Sequence, residues 1–265
     1  MRINTNVASL QGQEANTNTN LNLSSSLEKL STGLQINKAS DDASGLAIAD
    51  KLRTQASALE QSVKNGNAAV SLTQIADKAM DEISNIIDVM KQKTLQSVTG
   101  TTSSAGQLAI QADVAALIEQ IDSINTQTNY NGIQLLDGTE TGLQFQMGET
   151  ATDVVSLVID AVGSSDLGID GVTGVSADIS LLDLALSTLN AQRGYVGSIQ
   201  NQLESSTRNM STAVTNIQAA ESVIRDVDYA AESANFNKLN IISQAGTYAI
   251  SQANSASQNV MRLLQ

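Results

Sequence analysis

The chain has 265 residues, no His, Cys, Trp or Pro, 2% aromatic residues and a formal net charge of −13. Without His or Cys there is no Ser-His-Asp or Cys-His machinery, no thiolate and no conventional zinc site, and neither a Walker loop nor a GxGxxG after a strand is present. No enzyme chemistry and no cofactor are expected; with so few aromatic side chains for a compact core, Leu, Ile, Val and Ala must carry the packing, which suits long helices facing helices.

The opening stretch "MRINTNVASLQGQEANTNTN" lacks an apolar run long enough for a cleavable signal, and no segment has the length of a membrane span. Ile3, Val7 and Leu10 begin an apolar stripe that Leu23, Leu27, Leu30 and Leu34 resume beyond an asparagine-rich interval. Such a helix is marginal alone in water. Arg2, Lys29 and Lys38 offset Glu14 and Glu28, so residues 1–40 are nearly neutral.

The stripe breaks near Gly33, and Asp41 and Asp42 stand where N-terminal caps belong. Leu52, Ala56, Leu59 and Val63, then Leu72, Ile75, Ala79, Ile83, Ile86 and Met90, keep helical spacing. They predict a helix of about 55 residues, or about 80 Å. "GTTSSAGQ" ends it, and Leu108 to Ile124 predict a return helix.

Between about 129 and 160 the period changes to two. "YNGIQLLDG", "GLQFQMG" and "DVVSLVI" predict short strands separated by Gly turns, and "GSSDLGIDGVTG" predicts a loop. From Thr94 to Gln192 there are acidic residues but no Lys or Arg, so this surface is expected to face water and nucleic acid is not an expected partner.

Helical spacing returns from Ile179 through Leu182, Leu186, Leu189, Val196, Leu203, Val214 and Ile217. In the last forty residues Ile242, Ala245, Ala249, Ala253, Ala256, Val260 and Leu263 recur at the 3.5-residue period of a coiled-coil seam, with Leu264 beside them. An apolar stripe running to the end of a chain needs cover. The N-terminal stripe is the expected partner for it within the chain, leaving apolar surface on both helices for further copies. The predicted fold is mainly α: a long antiparallel helical rod of coiled-coil character with a small β-hairpin region, and with the two termini paired at one end.

"LEKLSTGLQINKASDDASGLAIADKL" at 27–52, "NYNGIQLL" at 129–136, "VTNIQAAESVIRDVDYAAESANF" at 214–236 and "ISQAGTYAISQANSASQNVMRLL" at 242–264 together resemble bacterial flagellin over nearly the whole chain. The resemblance implies a minimal form without large variable outer domains, a filament subunit that polymerises with itself for swimming motility. It implies an inner-tube domain from 1–42 and 226–265 and a helical rod domain from 43–225, β region included. Ile3, Val7, Leu10, Leu27, Leu30, Leu34, Ile242, Ala245, Ala249, Ala253, Ala256, Val260, Leu263 and Leu264 are then the expected subunit-packing residues. A secreted protein of the extracellular filament is implied, with an export chaperone, the filament cap and hook–filament junction proteins as partners, and neither nucleic acid nor membrane.

A hook–filament junction protein shares the same end architecture, but "SDDASGLAIADKL" is closer to flagellin, because junction proteins tend to carry a proline-containing loop there. A binding module or enzyme would need an inserted domain with a metal motif. Two departures from the family stand out. Ser257 occupies a position where relatives commonly have Pro, so the last helix need not kink. Flagellins that activate the Toll-like flagellin receptor of animals carry Arg-Val-Arg-Glu-Leu where this chain has Val89, Met90, Lys91, Gln92 and Lys93. With Asp113 aligned to an acidic contact of activating relatives, this face resembles the receptor-evading subgroup and implies weak or no receptor binding.

Overall fold

The computed structural model describes residues 5–139 and 142–263. Helices α1 (Val7–Thr32), α2 (Ala43–Val98) and α3 (Ser104–Gln127) are followed by strands β1 (Asn129–Tyr130), β2 (Ile133–Gln134), β3 (Leu143–Gln146) and β4 (Val154–Leu157). Helices α4 (Asp178–Arg225) and α5 (Tyr229–Leu263) complete the chain. No helix among the described residues is long and apolar enough to cross a membrane.

Caps set the helix ends. The Asn6 carboxamide accepts the Ser9 N–H at the start of α1, and Gly33 closes it in the left-handed region at φ 75°, its N–H bonded to Lys29 O. Asp42 Oδ1 accepts the N–H groups of Ser44 and Gly45 at 2.9 Å and starts the 56-residue α2. Asp178 Oδ2 takes those of Thr173 and Val175 ahead of α4, and Asp228 Oδ1 those of Ala230 and Ala231 at the start of α5. Asp42 and Asp228 satisfy donors that the first turn leaves free and complement the helix dipole, whereas Asp178 ties down the segment that leads into α4.

The asparagine-rich interval does not interrupt α1. Thr17, Thr19 and Ser24 donate their hydroxyls to the carbonyls of Gln13, Ala15 and Asn20, one turn back at 2.9 Å each. These three hydroxyls are thus satisfied inside the helix rather than competing with it.

The described residues form two compact units, Gln55–Thr215 and the paired ends Met1–Thr54 with Asn216–Gln265. The first of these holds the core. Met80, Ile83, Ile87 and Met90 of α2 are fully buried with Val114 and Ile121 of α3 and Leu182, Leu189 and Leu203 of α4. Antiparallel hairpins β1–β2 and β3–β4 lie beside these helices, and Leu136 and Leu157 enter the same core. The first hairpin turns on Asn131 (φ 52°) and Gly132 (φ 85°), the positive-φ pair that a two-residue turn requires.

Residues 163–174 have no regular structure, as the sequence leads one to expect, yet they are not a surface loop. Leu167, Ile169 and Val172 are buried in the core. Asp122 on α3 holds the segment down by accepting the backbone N–H and the hydroxyl of Ser164, at 2.9 and 2.8 Å. Arg193 on α4 ties to α2 through Asp77 and Asp81, at 3.1 and 2.9 Å.

Candidate assembly surface

The unit of paired ends is built differently. Helix α1 packs antiparallel on α5, but Ser26 is the one buried residue described in α1, and no described residue of α5 is buried. The residues that face each other are largely polar or small. Asn6, the cap of α1, and Ser9, Gly12, Asn16, Thr19 and Leu23 within it are half-buried; on α5, Phe236, Leu239, Ser243, Gly246, Ile250, Ala253 and Ser257 are.

Hydrogen bonds mark this seam along its length. Asn6 Nδ2 donates to Ala253 O and Asn254 Oδ1 at 3.1 and 3.2 Å, and the Ser243 hydroxyl donates to Asn20 Oδ1 at 2.9 Å. Near the other end the Ser26 hydroxyl donates to Glu232 Oε1. The connecting segments are joined as well: Gln35 N–H donates to Arg225 O at 2.7 Å and Val227 N–H to Gly33 O at 3.0 Å. Asp41 Oδ2 accepts the N–H groups of Lys38 and Asn37, and these two bonds hold its carboxyl below the ordinary carboxylate range. The hydrogen bond and charge of Glu28, 2.6 Å from Lys38 Nζ, hold that ammonium above its ordinary value.

The expected pairing of the N- and C-terminal apolar stripes is therefore corrected. The ends do pair, but through another face. Val7, Leu10 and Leu27 are more than half exposed, as are Ile241 (67%) and Tyr248 (74%) on α5. Ile242, Ala245, Ala249 and Ala256 are exposed too, whereas Leu30, Leu34 and Ala253 are half-buried. Ile3 and Leu264 lie outside the described residues, and of Val260 and Leu263 only the helical backbone is described. Periodicity locates an apolar face but not its neighbour. Asn6, Ser9, Asn16 and Thr19 share the helical spacing and were missed because they are not apolar. Ser257 lies within α5, which runs unbroken through it.

Residues 89–93 do not share one surface. Val89 and Gln92 are exposed, while Met90 is fully buried in the core. Lys91 pairs with Asp183 on α4, and Lys93 with Asp113 on α3 at 2.6 Å.

Comparison with known proteins gives concordant matches. Residues 3–141 match the family model for the bacterial flagellin N-terminal helical region, and residues 179–264 that for the C-terminal helical region. The flagellin of Bacillus subtilis (strain 168) is 38% identical, with all of both chains covered. The flagellar filament 33 kDa core protein of Treponema phagedenis is 35% identical, again over the whole of both. Among solved structures, the crystal structure of Bacillus cereus flagellin is similar at a TM-score of 0.50 and 28% identity, covering 60% of this chain and 94% of that one.

Proposed function

Because the chain belongs to the bacterial flagellin family, we propose that its paired terminal helices are the surface through which copies pack. It is a structural protein, not an enzyme: a subunit of the flagellar filament outside the cell that polymerises with copies of itself. The observation that carries the packing proposal is the outward aim of Val7, Leu10, Leu27, Ile241, Ile242 and Tyr248 on a helix pair with almost no core of its own. Large apolar side chains left exposed together on one helix pair mark an interaction surface. Covering it with neighbouring copies removes it from water at about 25 cal/mol per Å².

In this reading residues 1–42 and 226–265 form the inner-tube domain, and 43–225, with their buried core and acidic exterior, form the helical rod domain. An export chaperone, the filament cap and the junction proteins meet the terminal segments. The face around Val89, Gln92 and Lys93 binds the animal flagellin receptor weakly or not at all.

Purified chain, given salt or filament fragments as seeds, is expected to form long fibres visible by electron microscopy. Substituting the outward apolar residues should stop it. A chain that stays monomeric under seeding, or that polymerises equally well with that face made polar, overturns the packing proposal.

A further inference from the structure

Each terminal helix contains one glycine, Gly12 in α1 and Gly246 in α5. Neither sits at a turn, and glycine is among the poorest residues in a helix interior. Both lie in the seam, and each faces a larger side chain of the other helix. A Cβ on Gly12 would stand 3.0 Å from Ile250 Cγ1, and one on Gly246 would stand 3.3 Å from Asn16 Oδ1. Asn16 Oδ1 is itself buried and has no hydrogen-bond partner. The close approach at Gly246 therefore seats an amide oxygen that gains no hydrogen bond there.

We infer that Gly12 with Ile250 and Gly246 with Asn16 form a reciprocal key that sets the axial register of α1 on α5. The inference rests on the filament reading, because the register decides which outward apolar residues stand side by side for a neighbouring copy. A polar seam alone would choose a register poorly, since serine, threonine and asparagine satisfy one another at many offsets. The two gaps remove that freedom. A slip of one turn, about four residues, in one direction sets Gly12 against Gly246 and leaves a void. The same slip in the other direction sets the Asn16 amide against Ile250. A buried polar group that fixes register at a cost in stability is a known device of paired helices.

The chain has no cysteine, so register can be read by cross-linking. Asn20→Cys with Ser243→Cys replaces a directly hydrogen-bonded pair of the seam. In the full-length chain, oxidised as assembled filaments, this pair is expected to cross-link efficiently. Gly12→Leu introduces a far better helix former, so a glycine without a packing role would leave the cross-link unchanged or strengthen it. The key instead requires a severalfold fall in cross-link yield and in filament yield, both restored when Ile250→Ala is added. Gly246→Leu, rescued by Asn16→Ala, is the matching test from the other side. An unchanged yield for both leucine variants, or no recovery in either rescued variant, overturns the inference. Polymerisation of the parent with only the two cysteines is scored separately and tests the filament reading itself.

Discussion

Lys93 Nζ lies 2.6 Å from Asp113 Oδ2, an ion pair that joins α2 to α3 across the acidic middle of the chain. The sequence resemblance aligns Lys93 with a leucine and Asp113 with an acidic contact of flagellins that activate the receptor. Here each neutralises the other, so a receptor cation that sought Asp113 would first have to displace Lys93.

The resulting prediction concerns receptor signalling. Purified monomer is expected to signal weakly in a reporter-cell assay. Val89→Arg, Gln92→Glu and Lys93→Leu together should restore part of the response. Lys93→Leu contributes doubly, since it removes a charge that would need desolvation and releases Asp113. A desolvated hot-spot residue is worth about 2 kcal/mol or more, so regaining two such contacts amounts to a factor of hundreds in affinity. Met90 is buried and takes no part, so substituting it should alter stability and not signalling by folded protein. Strong signalling by the unaltered chain would show that the changes at 89–93 are neutral.

A second prediction separates folding from assembly. Leu10 and Leu27 are each 55% exposed on α1. Leu27→Glu should leave the melting of the core unit unchanged, because Leu27 belongs to the other compact unit and is more than half exposed. In the filament, losing the burial of one leucine forfeits about 1.5 kcal/mol or more, so the critical concentration should rise about tenfold or more, read by sedimentation. Unchanged polymerisation would remove Leu27 from the packing surface.

The outward aim of Leu27 also shows how far the sequence was legible. Helix existence, order and approximate ends follow from apolar period and caps, as with Asp42 before α2 and Gly33 after α1. The α1–α5 seam does not, because its hydrogen bonds come from Asn6, Asn20 and Ser243, and most of its half-buried residues are polar or small. Stripes of that composition look solvated in one dimension. Only the observed pairing distinguishes them from the rest of the polar surface.

Residues 163–174 are a similar case inside the core unit. Glycines and aspartates give the segment the composition of an exposed loop, yet Ile169 is fully buried. Isolated apolar residues in an irregular stretch have no period to mark them. Ile169→Ala should therefore destabilise the core unit by about 2–5 kcal/mol, seen as a lower thermal midpoint by circular dichroism. Val175→Ala, at a residue 46% exposed, should stay within about 0.5 kcal/mol of the parent. Equal effects at the two positions would contradict the burial of this segment.

The last prediction follows from Asp41 and Lys38 in the segment between α1 and α2. Asp41 accepts the backbone N–H groups of Lys38 at 2.9 Å and Asn37 at 3.0 Å, and these bonds favour its ionised form. Its carboxyl value is therefore depressed in the folded state. The stabilisation is present above the unfolded carboxylate value and is lost as pH falls through the lower, folded one. Lys38 carries the opposite sign. The hydrogen bond to Glu28 raises its folded value, so that contribution is present below the unfolded lysine value and is lost as pH rises through the higher, folded one. Between these limits, including neutral pH, both groups support the segment. Acid should loosen residues 37–41 first, detected as faster hydrogen exchange or a shifted resonance at the Lys38 and Asn37 amides. Asp41→Asn keeps an acceptor oxygen but cannot titrate, so it should flatten the acid-side change at those amides. Glu28→Gln, which keeps the side-chain size and removes the charge facing Lys38, should weaken the alkaline-side change and leave the acid side in place. Amides at 37 and 38 that respond to acid identically in the parent and in Asp41→Asn would show that another group governs this turn.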